Sequence, residues 1–335
     1  MEKKENSGAK LRIVDTLRVS VTDRCNLRCV YCMPEDGLPL IPHKEILSFE
    51  EIVRIVNVGV LLGIRKVRIT GGEPLVRRNI CQLVHMLAGI KEIKDLSMTT
   101  NGTLLPRFAH ELKSAGLGRI TVSLDTLRRE RYQRITRRDM FGDVLEGIQA
   151  AKKQDLSPLK INVVVVKGIN EDEILDFAEL AAADDIEVRF IERMPLLERG
   201  DLSQCGWPGK EMVPSRVVQQ IIEEKFGPLV PVESDLAIPG PAKLFQIPGH
   251  AGKIGFISPM TEAFCSSCTR MRLTAEGKLR PCLVEELEFD LKGPLREGRS
   301  DEELKRIFSE AIARKPYQEV ACFSMIQKRM SQIGG

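Results

Sequence analysis

Leu17-Arg18-Val19-Ser20-Val21-Thr22-Asp23-Arg24-Cys25-Asn26-Leu27-Arg28-Cys29-Val30-Tyr31-Cys32 is the stretch that decides the fold. Its first part alternates apolar and polar residues, as a β-strand does when its two faces meet different surroundings. Its second part carries three cysteines, C-x-x-x-C-x-x-C, in a loop directly after that strand. Three thiolates are one too few for a closed tetrahedral metal site or a fully ligated cubane cluster. A four-iron, four-sulfur cluster held by three thiolates leaves one iron open to a small molecule. A second trio, Cys265, Cys268 and Cys282, lies near the other end of the chain.

Working outward, strand and helix patterns alternate from Leu17 to about Ile191. The further expected strands are Lys66–Thr70, Asp95–Thr99, Arg119–Leu124, Leu159–Val166 and Ile186–Ile191. A helix is expected from Ser48, which can cap while Glu51 reaches back, and Gly63 suits its end. Six strand–helix units in series imply a parallel sheet with right-handed crossovers. Six rather than eight imply a barrel that does not close.

Residues two apart on a strand share a face. Arg18, Ser20 and Thr22 therefore oppose Val19 and Val21, and Arg68 and Thr70 oppose Val67 and Ile69. Ser97 and Thr99, Thr121 and Ser123, Lys160 and Asn162, and Arg189 follow the same rule. Buried parallel strands are normally apolar on both faces. The polar face is expected to line a wet chamber that holds a polar ligand; an open sheet with one solvated face is the alternative. Arg18, Arg68, Lys160 and Arg189 all fall on that face. Buried cations without partners are costly, so the chamber implies an anionic ligand. Internal salt bridges to Asp125, Glu73 and Glu192 would answer the same charges without one.

Beyond Met194 the texture changes. Pro195 to Pro214 reads as a loop, Pro214–Phe226 as a helix, Lys243–Ile247 and Lys253–Ser258 as strands, and Ser300–Lys315 as a helix. The chain is expected to divide into residues 1–230, an incomplete barrel, and 231–335, a region around the second cysteine trio. Glu276-Gly277 is a plausible hairpin tip that would bring Cys282 back beside Cys268.

The 335 residues are 43% hydrophobic and 29% charged, which is ordinary for a globular protein. A net charge of +3 gives no reason to expect nucleic-acid binding. No apolar run is long enough to span a membrane. Nine cysteines with a polar N-terminus, lacking the apolar core of a signal peptide, point to a reducing, cytoplasmic setting. Cys81, Cys205 and Cys322 stand alone and read as buried or free thiols. The basic run Arg128–Arg138 reads as a solvated helix face. Zinc would need a fourth ligand, His43 for the first trio or His250 for the second.

The cysteine order, with an aromatic residue before the last thiol, resembles the signature of the radical S-adenosylmethionine enzymes. Arg18–Pro34, Arg68–Arg78, Met98–Gly102, Arg189–Met194, Phe264–Leu283 and Gly334-Gly335 resemble one family among them, the GTP 3′,8-cyclases that open molybdenum cofactor synthesis. The resemblance implies an α/β fold, a partial (β/α)6 TIM-like barrel whose C-terminal extension carries a second cluster. It implies a lyase with two [4Fe-4S] clusters, one on Cys25, Cys29 and Cys32 and one on Cys265, Cys268 and Cys282. S-adenosylmethionine would lie against Tyr31, Gly72, Glu73, Ser123 and Met194, with Glu73 at the methionine amine. GTP would meet Arg18, Arg68, Thr99, Lys160, Arg189, Arg270 and Arg272. Gly334 and Gly335, which composition alone reads as a frayed end, would reach into the active site and act with Arg270 and Arg272 in turnover. The implied partners are a flavodoxin- or ferredoxin-like electron donor, a cyclic pyranopterin monophosphate synthase for the next step, and a second copy in a homodimer. A radical enzyme that modifies peptides and carries an auxiliary cluster is the nearest rival.

Overall fold

The computed structural model describes residues 12–194, 211–234, 236–316 and 330–334. Twelve strands form one sheet: β1 (Thr16–Ser20), β2 (Lys66–Thr70), β3 (Asp95–Thr100), β4 (Arg119–Ser123), β5 (Lys160–Val165), β6 (Glu187–Glu192), β7 (Val230–Val232), β8 (Lys243–Gln246), β9 (Lys253–Ile257), β10 (Arg270–Leu273), β11 (Lys278–Arg280) and β12 (Phe289–Asp290). The first six strands run parallel in sequence order. The spatial order is β12-β11-β10-β1-β2-β3-β4-β5-β6-β9-β8-β7, so the sheet does not close on itself.

The C-terminal extension joins the same sheet: β10 pairs parallel with β1 and β9 pairs parallel with β6. The two edges of the six-strand barrel are thus each extended by a strand from far along the chain. The hairpin was expected, and β10 and β11 form it antiparallel around Gly277, at φ +79°. Its pairing with β1 leaves no local signal, since it depends on residues some 250 positions apart, Thr16 beside Arg270 and Arg18 beside Arg272.

Helices cover the outer face: α1 (Phe49–Leu61), α2 (Ile80–Ala88), α3 (Leu105–Ser114), α4 (Arg129–Thr136), α5 (Phe141–Lys153), α6 (Ile174–Ala183), α7 (Ser215–Phe226), α8 (Lys292–Arg296), α9 (Asp301–Ala313) and α10 (Met330–Ile333). Ser48 and Glu51 form the expected capping box at α1 (2.7 and 3.2 Å), and Ser300 caps α9. The apolar strand faces Val19, Val67, Ile69, Met98, Ile120, Val122, Ile161 and Val188 bury fully against these helices. That burial is what drives the sheet to wrap, at about 25 cal/mol per Å² of apolar surface. The wrap is visible in the charges. Arg189 on β6 lies within electrostatic reach of Arg270 on β10, although β1 to β5 stand between them along the sheet. Among the described residues no helix is long and apolar enough to cross a membrane.

Close backbone approach sets the helix positions. Gly147 on α5 faces the carbonyl of Gly102, and a Cβ there would come within 2.2 Å of that oxygen. Gly147→Ala is expected to cost about 3 kcal/mol, since neither backbone can yield locally. Urea unfolding of both proteins checks this, and an unchanged midpoint would contradict the packing described.

Candidate active site

The first cysteine loop is zipped to the neighbouring loop by backbone bonds. Val21 N–H donates to Thr70 O (3.0 Å), Gly72 N–H to Thr22 O (2.8 Å) and Glu73 N–H to Arg24 O (2.8 Å). Glycine is required here: a Cβ on Gly72 would sit 2.5 Å from Arg24 O and 2.7 Å from Asp23 O. Cys32 and Met33 N–H both donate to Cys29 O (2.9 and 3.0 Å), which curls the last thiols together. Asn101 Nδ2 donates to Cys25 Sγ (3.9 Å) and to Asn26 Oδ1 (2.8 Å). Burial pushes the Cys25 thiol up to about 12, with the Glu73 and Cys32 charges adding to it. Burial also raises Cys29, helped by Cys32 and Cys25. Such thiols ionise only against strong positive charge, which iron supplies.

Glu73 is held in place by its own hydrogen bonds. Its side chain is fully buried, and its oxygens accept from Thr100 Oγ1 (2.7 Å), Asn101 N–H (2.7 Å) and Leu75 N–H (3.1 Å). It bolts the β2 loop to the β3 loop from below. Tyr31 OH donates to Asp125 Oδ2 (2.7 Å), and Asp125 Oδ1 accepts from Val164 N–H (2.9 Å). Tyr31, Ser123, Asp125, Asn101 and Cys29 line one small cavity of about 50 Å³ on this rim. Met194 is half-buried and does not line it.

The second trio is framed by cations. Arg12 Nη2 donates to the carbonyls of Cys265 and, at 3.1 Å, Cys268. Lys315 Nζ donates to Arg270 O (2.6 Å) and Pro281 O (2.7 Å), tying both hairpin strands. Burial would raise the Cys268 thiol, but Arg270 and Lys315 outweigh it and hold the group at about 6. Cys268 and Cys282 both act on Arg272 and Lys315, so these two cysteines share one cationic corner. Neither proposed zinc histidine joins them: His43 is exposed, and His250 Nδ1 contacts Ala182 O (3.1 Å). Among the described residues no three His, Cys, Asp or Glu side chains could hold a single metal ion. A donor set of three thiols without a fourth ligand suits a cubane with one open iron.

Between the trios lies the chamber. Register sets Arg272, Arg18, Arg68, Ser97 and Arg119 side by side on five adjacent strands. The next row holds Thr99, Thr121, Lys160 and Glu187. Buried and without a partner are Ser97 Oγ, Thr99 Oγ1, Thr121 Oγ1, Asn162 Oδ1 and two nitrogens of Arg119. Burial lowers Arg18, with Arg272 and Arg270 adding to it. Burial and the charges of Arg18, Arg119 and Arg189 lower Arg68. Burial brings Arg272 down to about 9 and Lys160 to about 7.

The salt bridges expected to Asp125, Glu73 and Glu192 are absent from the described ion pairs. Those carboxylates hold loops at the rim: Glu192 accepts from Ser215, Met260 and Thr261. The actual partners sit deeper. Asp95 pairs with Arg119 (2.5 Å) and Lys66 (3.2 Å), and Glu187 pairs with Lys160 and Arg189. The parity that selected Ser97 and Arg189 also selects Asp95 and Glu187, so the signal was present at the first residue of each strand. Lys66 and Arg119 were missed for the same reason. Arg12 and Lys315 carry no local signal, because their roles arise only from tertiary contact.

The tail does reach this chamber. Gly334 O accepts from Arg272 Nη1 (2.8 Å) and Thr70 Oγ1 (3.2 Å). Gly334 is at φ +81°, and a Cβ would lie 2.9 Å from Ser20 Cβ, so only glycine suits the position. Gly335, Cys205 and Cys322 lie outside the described residues, as do residues 195–210, where a loop was expected; Cys81 is buried.

Comparison with known proteins agrees with this geometry. The Radical SAM superfamily matches residues 19–181, and Molybdenum Cofactor Synthesis C matches residues 186–320. The protein named GTP 3′,8-cyclase in Heliobacterium modesticaldum is 48% identical over 97% of this chain and 98% of its own length. The protein of the same name in Moorella thermoacetica is 47% identical with the same coverage. Streptococcus suis SuiB bound to S-adenosylmethionine superposes with a TM-score of 0.60 at 15% identity. That match covers 83% of this chain and 63% of SuiB, and it shows the fold alone.

Glu73 yields a pH test. Burial raises its pKa from 4.5 to about 7. A carboxyl raised by folding stabilises the fold fully below pH 4.5 and loses that contribution as pH rises through about 7. Glu73→Gln removes this titration. The melting temperature of the variant relative to the native protein is expected to improve steadily between about pH 5 and 8. A difference that stays flat with pH would contradict it.

Proposed function

The chain belongs to the GTP 3′,8-cyclase family of radical S-adenosylmethionine enzymes, and on that premise we propose how its residues divide the work. The reaction joins ribose carbon 3′ of GTP to guanine carbon 8. It forms (8S)-3′,8-cyclo-7,8-dihydroguanosine 5′-triphosphate, the first step of molybdenum cofactor synthesis.

Cys25, Cys29 and Cys32 would hold the family's four-iron cluster, with S-adenosylmethionine at the open iron. When bound, that pair supplies the 5′-deoxyadenosyl radical that removes the hydrogen from ribose carbon 3′. Tyr31, Ser123 and Asp125 would orient the adenosyl group, with Met194 against the adenine. The Gly72 backbone would approach the methionine end, and Glu73 would fix that loop from beneath. Arg18, Arg68, Thr99, Lys160 and Arg189 would hold the triphosphate and ribose. The unsatisfied hydroxyls of Ser97, Thr99 and Thr121 and the two unsatisfied nitrogens of Arg119 in that chamber support this placement. Cys265, Cys268 and Cys282 would hold a second cluster facing the guanine, with Arg270 and Arg272 beside it. Gly334 and Gly335 would close the chamber on the substrate and keep water out, which protects a radical from quenching.

The same reading takes a flavodoxin- or ferredoxin-like electron donor, a cytoplasmic setting, a homodimer, and delivery of product to a cyclic pyranopterin monophosphate synthase. The division near residue 230 would separate the cofactor-binding barrel from the second-cluster region. The observation that carries the reading is the row of cations and orphaned hydroxyls between two three-cysteine sites.

GTP deuterated at ribose carbon 3′ tests it. Deuterium is expected in 5′-deoxyadenosine from the anaerobically reconstituted enzyme, and Arg18→Ala is expected to raise the GTP KM about 100-fold with iron content unchanged, as loss of a charged phosphate contact of about 3 kcal/mol requires. Turnover on a peptide without deuterium transfer would sink the cyclase assignment, and iron loss in Arg18→Ala would sink the role given to that residue.

A further inference from the structure

Resting on the placement of a second cluster at Cys265, Cys268 and Cys282, we propose that Lys315 is the buried counter-cation of that site. It is a positioning residue that pins the β10–β11 hairpin and raises the reduction potential of the iron–sulfur cluster held there.

Lys315 follows the end of α9 and is only 4% exposed. A lysine in that place ordinarily answers the last carbonyls of its own helix. Lys315 Nζ leaves them and donates instead to Arg270 O (2.6 Å) and Pro281 O (2.7 Å). Pro281 O belongs to the peptide group that carries Cys282, and Arg270 stands two residues after Cys268. The ammonium therefore sits across the open end of the hairpin, where two of the thiols are attached.

A neutral donor could bridge two carbonyls at lower cost. A buried ammonium is expensive unless an anion faces it. Among the described residues no carboxylate forms an ion pair with Lys315; Glu285 feels its charge but stands outside that range. The other close charges are cations. Arg12 donates through Nη1 to Pro316 O and through Nη2 to the carbonyls of Cys265 and Cys268. Arg270 lies over the Phe264 ring, 5.0 Å from its centre. Burial lowers the Lys315 pKa, and the Cys268 and Cys282 thiolates oppose that. The anion that answers Lys315 is thus the thiolate site itself.

Three thiolates on a doubly positive four-iron core leave one net negative charge, and one-electron reduction makes it two. A fixed cation stabilises the second state more than the first and so draws the potential up. A unit charge about 12 Å away, at an effective dielectric of about 20, shifts such an equilibrium about tenfold. For one electron that is about 59 mV. A tether that acts only through its shape predicts no dependence on charge.

The full chain carrying Cys25→Ser, Cys29→Ser and Cys32→Ser, reconstituted anaerobically, isolates the second site. Dithionite is oxidised and each cluster gains one electron, with no bond in the protein changed. Electron paramagnetic resonance reads the reduced fraction against the set potential. Lys315→Gln keeps a donor and loses the charge; it is expected to shift the equilibrium about tenfold toward the oxidised form, about 59 mV lower, at unchanged iron content. Lys315→Arg keeps the charge and is expected to stay close to the native value. A native potential in Lys315→Gln with its iron retained would overturn the proposal, and so would an equal fall in Lys315→Arg. Should Lys315→Gln hold no iron, retention by Lys315→Arg supports the role of the charge, and loss from both contradicts it. If the chain with native Lys315 binds no cluster at all, it is the second-cluster reading that fails instead.

Discussion

Like charges held side by side in a half-enclosed chamber are the constraint on which the rest of this structure turns. Parallel pairing fixes Arg272, Arg18 and Arg68 on three adjacent strands. Neighbouring strands lie about 4.8 Å apart. Guanidiniums splayed to roughly 8 Å still repel by about 2 kcal/mol per pair at an effective dielectric near 20. Two such pairs, about 4 kcal/mol, approach the low end of a stable domain's margin of about 5–15 kcal/mol. Part of the problem is solved internally, by Asp95 for Lys66 and Arg119 and by Glu187 for Lys160 and Arg189. Arg18 and Arg68 have no hydrogen bond or ion pair among the described residues. The outer apolar face holds the sheet together against that repulsion. On the proposed placement a triphosphate would relieve it, so that substrate binding and structural relief would be the same event.

The rim depends on a second device, used three times. Glu73, Glu173 and Glu192 are buried carboxylates, and each accepts from a threonine hydroxyl and from one or more backbone N–H groups of a loop that follows a strand. Glu73 fixes the loops beside the first cysteines, Glu173 the loop after β4, and Glu192 the turn before the second cysteines. The catalytic groups are thus carried on loops but positioned by the barrel wall.

Much of this was legible in the residues. The six strands could be placed within two residues because alternation of polar and apolar side chains is a local property. The same alternation marked the chamber face before any coordinates did. Asp95 and Glu187 obeyed that parity too and could have been named as the internal counter-charges. That Glu73 also bolts two loops together, through Thr100, Asn101 and Leu75, depends on its burial and was not legible in the glycine loop alone. The insertion of β9 and β10 at opposite edges of one sheet, and the hold of Arg12 and Lys315 on the second trio, arise from contacts between distant segments that no local pattern encodes. The docked Gly334 was legible only through the family resemblance.

If unrelieved repulsion in the chamber is what GTP answers, replacing one of its cations must have opposite effects with and without ligand. Thermal unfolding of Arg68→Met, compared with the native protein at zero and saturating GTP, measures this. The account predicts a variant that melts higher than the native protein when ligand-free and gains far less from GTP. A variant that melts lower without ligand, or gains as much from GTP as the native protein, would contradict it.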